Sequence, residues 1–341
     1  MTPQNDLTDQ QRSAAVKVRA EALGFDACGV AAASETDPRN RLGEWLARGF
    51  HADMQWMETT RELRQDVQRK LPGAQSVVVV TRNYYRELPP EAADQDRSAP
   101  GPDSAPRGKV ARYAWGRDYH RVLRRPLKEL AGFIERLAPD AATYASIDSG
   151  PVMERTWAER AGVGWAGKNS LILRKDSGSW FFLATVITTA SLAPDPPAVD
   201  HCGTCTLCID ACPTGAIVEP KVVDANRCIS YLTIERREEI AQRYHESMGN
   251  WVFGCDICQE VCPWNRRPTE TGEPDFAPRQ GHAAPNLHDL QDMSETEFKD
   301  TFAGSPLMRA KHAGMLRNSR IALENWRAKA QIPAGSREDQ G

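Results

Sequence analysis

The chain has 341 residues, 40% of them hydrophobic and 26% charged, and 43 Lys and Arg against 46 Asp and Glu leave a formal net charge of -3. This is the composition of an ordinary soluble globular protein. It excludes a bulk attraction for nucleic acid, so any such binding needs a local basic face. The length predicts two or three domains, and the longest apolar stretch, 180–187, is far too short to span a bilayer.

Read in chain order, the polar start MTPQNDLTDQQRSAAVKVRA lacks the apolar run of a secretory signal, which points to the cytoplasm. The first 50 residues read as helical, with Val16, Val18, Ala22 and Leu23 on one apolar face and Gly24 stopping the pattern. Past the turn Leu71-Pro72-Gly73, the β-branched run 76–81 predicts a strand buried on both faces. Residues 87–108 hold five prolines and few apolar side chains, so an exposed, mobile loop is expected. Helical spacing resumes over 119–137 through Val122, Leu123, Leu127, Leu130 and Phe133. The turn Asp148-Ser149-Gly150-Pro151 leads to a helix over 153–161, and strands follow over 171–173 and 179–188. After a Pro-rich stretch to Pro285, a helical tail carries Leu307, Ala310, Met315, Leu316 and Ile321 on one face, and the last ten residues read as disordered. No repeat recurs at a fixed period.

Eight of the nine cysteines fall between Cys202 and Cys262. They form the runs Cys202-x2-Cys205-x2-Cys208-x3-Cys212-Pro213 and Cys255-x2-Cys258-x3-Cys262-Pro263, with Cys228 between them. The first is the bacterial ferredoxin run, in which three close thiolates hold one four-iron, four-sulfur cluster and the fourth, before proline, reaches the other. By that rule Cys202, Cys205, Cys208 and Cys262 hold one cluster, and Cys212, Cys228, Cys255 and Cys258 hold the second. A pair of four-thiolate zinc sites is the competing reading, but zinc ribbons pair two separate CxxC knuckles rather than three cysteines in succession. The ninth cysteine, Cys28, reads as a small buried hydrophobe.

The segment Gly162-Val-Gly-Trp-Ala-Gly167-Lys168-Asn169 matches GxGxxG and most of a Walker A loop. A phosphate loop needs a strand before it and a helix after it, whereas here a helix comes first and a strand follows, and Asn169 stands where Ser or Thr would bind magnesium. The glycines still mark a close backbone approach, and a bound cofactor and a tightly packed turn both fit.

Taken together, several blocks resemble the epoxyqueuosine reductases. They are Arg112-Tyr-Ala-Trp-Gly-Arg-Asp118-Tyr119-His120, Ile147-Asp148-Ser-Gly-Pro-Val-Met-Glu154-Arg155, Arg160-Ala-Gly-Val-Gly-Trp-Ala-Gly-Lys168-Asn169, the two cysteine runs, and Arg309-Ala-Lys311-His-Ala-Gly-Met-Leu-Arg317-Asn318. The resemblance implies two 4Fe-4S clusters, a cobalamin, and reduction of epoxyqueuosine to queuosine in the tRNA anticodon loop. It also implies an α+β fold: a nitroreductase-like cobalamin-binding core over 1–194, a ferredoxin-like two-cluster domain over 195–270, and a helical C-terminal segment over 271–341.

Asp148 matches the family's proton donor, although Asp-Ser-Gly-Pro is also an ordinary turn and helix-capping sequence. His120 is a second candidate, as a partner of Asp148 or of the cofactor. Arg64, Ala111, Ile172, Cys255 and Asp256 are similar in placement to cobalamin-contacting positions. For tRNA phosphates, two basic groups stand out: Arg309, Lys311, Arg317 and Arg320, and Arg121, Arg124, Arg125 and Lys128. Some members continue into a helical repeat domain while this chain stops soon after Trp326, so part of the tRNA surface is expected to be missing or supplied otherwise. A separate electron donor, no membrane partner and a monomer complete the expectation. The competing functions are a ferredoxin-type electron-transfer module and a reductive dehalogenase, against whose export the missing twin-arginine signal counts.

Overall fold

The computed structural model describes residues 7–34, 36–90, 92 and 105–330. Most of the expected mobile loop, 93–104, and the expected disordered end lie outside the described residues. Helix α1 (Asp9–Ala22) opens with a capping box between Thr8 and Gln11 and buries Ser13, Val16 and Ala20. Here the apolar reading is corrected, because Val18 is 67% exposed and Ala22 lies on the solvent side. The first 50 residues are not all helical either, since Ala27–Ala32 forms strand β1. Small residues such as Ala and Gly carry no β signal of their own, and pairing decides their conformation.

Four short helices follow, α2 (Arg41–Ala47), α3 (Gln55–Thr59), α4 (Arg61–Gln65) and α5 (Val67–Lys70). Strand β2 (Ser76–Asn83) then runs through the centre of the sheet. Beyond it lie β3 (Lys109–Val110), α6 (Tyr119–Leu137), β4 (Thr143–Ser146), α7 (Glu154–Arg160), β5 (Trp165–Ala166), β6 (Ile172–Leu173) and β7 (Phe181–Thr188). The main sheet has the order β1-β2-β7-β4 with every neighbour antiparallel.

The Val run of β2 is buried on both faces, as its composition predicted. Val78 and Val80 pack with Val16, Leu123, Leu127 and Leu130 of α1 and α6, whereas Val77 and Val79 pack with Trp157 and Ala158 of α7. The period of two along a strand thus divides one valine run between two cores.

The cysteine-rich segment contributes α8 (Leu207–Asp210), β8 (Ile217–Glu219), β9 (Val222–Val223), α9 (Ile229–Ile234), α10 (His245–Met248), β10 (Trp251–Phe253) and α11 (Ile257–Glu260). Strand β10 pairs in parallel with β3, which ties this segment to the chain just before α6. The tail, α12 (Leu287–Asp292), α13 (Glu295–Phe302) and α14 (Lys311–Ala330), packs on the same strands. Asn318 of α14, fully buried, donates to the carbonyls of Thr233 and Val252 at 2.8 Å each. Leu307, Ala310, Met315 and Ile321 are buried in the expected face. Among the described residues no helix is long and apolar enough to cross a membrane.

Candidate functional site

The two cysteine runs fold alike. In each, tight turns lead into a one-turn helix, α8 or α11, and a further turn brings in the cysteine before proline: Cys212 N donates to Ile209 O at 3.2 Å and Cys262 N to Gln259 O at 3.1 Å. All eight cysteines are free thiols. Their mutual influence links them in two neighbouring sets. The thiol of Cys208 is pushed up by burial and then by Cys262 and Cys202, and that of Cys262 by burial and then by Cys202 and Cys205. In the other set, burial and then Cys258 and Cys228 push up Cys255, while burial and then Cys228 push up Cys258. Cys212 bears on both Cys228 and Cys258. Cys208 also bears on Cys258, so the two sets lie side by side.

As ligands of a cationic centre such thiols would be deprotonated outright. Among the described residues no three His, Cys, Asp or Glu side chains converge closely enough for a single ion. The backbone N–H of Ala216 already donates to Cys212 Sγ at 3.3 Å.

Asp148 lies on the loop between β4 and α7, exposed, with φ 55° in the left-handed region that few residues other than glycine adopt. It does not cap α7, whose N-cap is Met153. Its carboxylate instead accepts from the Tyr119 hydroxyl at 2.5 Å. His120, expected as the partner, turns away and pairs through Nδ1 with Asp118 Oδ1 at 2.9 Å, while its ring stacks on Tyr119 with centroids 4.2 Å apart. The far end of the loop is held by Arg64, 9% exposed, whose guanidinium donates to Val152 O at 3.1 Å. Beside it, burial and then the charge of Asp148 push the Glu154 carboxyl up to about 8, against a backbone hydrogen bond, Arg64 and a hydrogen bond from Ser146.

The cysteine and aspartate halves meet at Tyr113. Burial raises its hydroxyl well above the usual range, and next in weight come the charges of Asp148 and Asp256. Its ring lies 6.2 Å from Tyr119 and 6.1 Å from Phe253. Ala111 N donates to Phe253 O at 2.8 Å, and Ala111 shares a core cluster with Cys255. Asp256 is buried and accepts from Arg112 N at 2.7 Å, and burial lifts its carboxyl to about 7. Ile172 is buried in the core that contains Val152. Ala111 and Cys255 thus share a cluster with Tyr113, on which Asp148 and Asp256 also bear, while His120 is joined to it through Tyr119, Arg64 holds the Asp148 loop and Ile172 lies in a separate core. Tyr113, Tyr119 and Glu154 were not singled out as site residues, and the one available signal was the aromatic density of 112–120.

The glycine-rich segment resolves as packing. A Cβ on Gly162 would lie 2.5 Å from Pro196 O, and one on Gly164 would lie 2.4 Å from Leu173 O. Lys168 and Asn169 reach the cysteine segment, donating to the carbonyls of Gly203 (2.8 Å) and Cys258 (3.3 Å). Of the tail's basic group, Arg309 forms an ion pair with Glu235, Arg320 with Glu239, and Arg317 is buried against carbonyls.

Two family models match the chain: "Epoxyqueuosine reductase QueG, DUF1730" over residues 64–149, and "4Fe-4S double cluster binding domain" over 201–265. An epoxyqueuosine reductase of Synechocystis sp. is 45% identical over 303 residues, covering 87% of this chain and all of that protein. A crystal structure of epoxyqueuosine reductase with an epoxyqueuosine-modified tRNA-Tyr stem loop is 33% identical, with a TM-score of 0.84 over 95% of this chain and 84% of that one. The Bacillus subtilis epoxyqueuosine reductase, solved with an aspartate-bearing catalytic loop swung out of the active site, is 32% identical, with a TM-score of 0.82 over 94% of this chain and 82% of that one.

Proposed function

The chain belongs to the epoxyqueuosine reductase family and is an oxidoreductase of that kind, and on this premise we propose that it reduces epoxyqueuosine to queuosine in the anticodon loop of tRNA. The observation that carries the reading is adjacency: Tyr113 packs in one cluster with Cys255 and lies 6.2 Å from Tyr119, whose hydroxyl holds Asp148, so the proposed redox relay and the proposed acid would border the same space. Cys202, Cys205, Cys208 and Cys262 would hold one 4Fe-4S cluster, and Cys212, Cys228, Cys255 and Cys258 the other. Cobalamin would lie against Arg64, Ala111, His120, Asp148, Ile172, Cys255 and Asp256, in a core that the resemblance relates to nitroreductase-like folds. When bound, these groups supply electrons one at a time to a reducing cobalt centre.

Conversion of an epoxide to an alkene with loss of water takes two electrons and two protons. Asp148 would give a proton to the leaving oxygen, with Tyr119 holding one carboxylate oxygen. Since the polypeptide leaves Asp148 exposed, the apolar cover that such a donor needs is left to cofactor and substrate. Arg64 sets the far end of the loop by binding a main-chain carbonyl, so its substitution disturbs the acid without touching it.

The test is to incubate the reconstituted protein with cobalamin, a strong reductant and tRNA bearing epoxyqueuosine, and to measure nucleosides by mass spectrometry. Queuosine is expected. Its absence, with both clusters intact, overturns the reading.

A further inference from the structure

Helix α6 carries a charge pattern that works against its own stability. Arg121, Arg124, Arg125 and Lys128 are all exposed, and they stand three or four residues apart, where like charges on one helix face repel. No acidic residue occupies the first turn, where the helix dipole would favour one, and Arg121 sits there instead. Gly132, further along, loosens the helix interior and is open enough that a Cβ there would touch nothing closer than Arg136 at 3.4 Å.

These residues line one groove of about 560 Å³ together with Arg19 of α1, Arg136 and Glu129. Glu129 is the single carboxylate in that lining, and it is already engaged by Arg125 at 2.9 Å and Arg19 at 3.5 Å. Among the described residues Arg121, Arg124 and Lys128 make no ion pair. A chain of net charge -3 thus concentrates six cations in one open trough. In the other basic group, by contrast, Arg309 and Arg320 pair with Glu235 and Glu239 and Arg317 binds carbonyls, so of that group Lys311 alone is exposed with no ion pair among the described residues.

The trough also points at the candidate acid. Helix α6 begins at Tyr119, whose hydroxyl holds Asp148, and its 19 residues extend about 28 Å from there. That length spans several successive phosphates of a nucleic-acid strand.

We propose that the α6 trough is the footing for the phosphate backbone of the double-stranded anticodon stem, holding the stem while the loop lies at Asp148. This rests on the tRNA-reductase reading above. Lys and Arg facing phosphates give register without reading sequence.

The experiment measures binding of the cluster-loaded protein to a tRNA anticodon stem-loop over a series of salt concentrations, for wild type, Arg124→Ala/Arg125→Ala/Lys128→Ala and, as a control, Arg320→Ala. Loss of three phosphate contacts should weaken binding about tenfold or more at low salt and make the slope of log K against log salt shallower by about 2.7. The control should match wild type. Relief of repulsion predicts that the triple variant melts no lower than wild type, and single Arg124→Gln and Lys128→Gln variants serve if it does not fold. A single-stranded oligonucleotide of the loop sequence should bind wild type and variant alike. Equal affinity and slope for the stem-loop overturn the proposal, as does an equal loss on the loop oligonucleotide. Failure of wild type to bind any stem-loop would instead strike the functional reading itself.

Discussion

The Tyr119 hydroxyl donates to Asp148 Oδ2 across 2.5 Å, joining the first residue of α6 to a loop residue in left-handed backbone conformation. An aspartate held in an uncommon conformation by one hydrogen bond is poised for one geometry and easily released from it.

Tyr119→Phe should therefore leave the clusters untouched and slow turnover roughly 10- to 100-fold, the range expected when a hydrogen bond to a charged group is lost. Asp148→Ala should abolish turnover while clusters and cobalamin binding persist. Single-turnover queuosine formation, with absorption spectra as the control, measures both. An Asp148→Ala enzyme that still turns over would show that the proton comes from elsewhere.

Glu154 predicts a pH dependence of stability. Burial first, then Asp148, lifts its carboxyl from the ordinary 4.5 to about 8 in the folded protein. The folded state thus keeps a proton that the unfolded chain has released, and the stability this represents is complete below the ordinary value and lost as pH rises through about 8. Glu154→Gln, neutral throughout, should gain in Tm relative to wild type as pH rises across that window. A gap that stays constant with pH would refute it.

Cys262→Ala should damage the same cluster as Cys202→Ala, although it lies sixty residues away and within the second run. Electron paramagnetic resonance of anaerobically reduced protein distinguishes the clusters. Matching spectra for Cys262→Ala and Cys258→Ala would mean that the runs do not cross.

Asn265 joins the cluster segment to the start of β7. It accepts from Ser179 N at 2.7 Å and donates to Ser179 Oγ at 2.9 Å and Gln259 O at 2.8 Å, all buried. Asn265→Ala leaves the Ser179 N–H without its acceptor, while Gln259 O keeps Cys262 N and Ser179 Oγ keeps Gln259, and should cost roughly 1 to 3 kcal/mol. Anaerobic denaturant titration of the cluster-loaded protein reads this directly, and an unchanged midpoint would argue against it.

What the amino-acid order determined by itself is whatever is local. The x2 and x3 spacings place successive sulfurs within one tight turn, the valine run makes β2, and the period of Leu123, Leu127 and Leu130 makes α6, because neighbours in the chain settle these conformations. Strand β1 escaped notice because Ala27–Ala32 becomes a strand only by pairing with β2. The partner of Asp148 was equally out of reach: Tyr119 and His120 are adjacent and chemically plausible, and only the packing of α6 against the sheet turned one ring toward the acid and the other toward Asp118. The two basic groups also looked alike in the sequence. Tertiary structure separated them, because a cation's availability depends on which carboxylates and carbonyls folding brings beside it, and that is a property of contacts between distant segments.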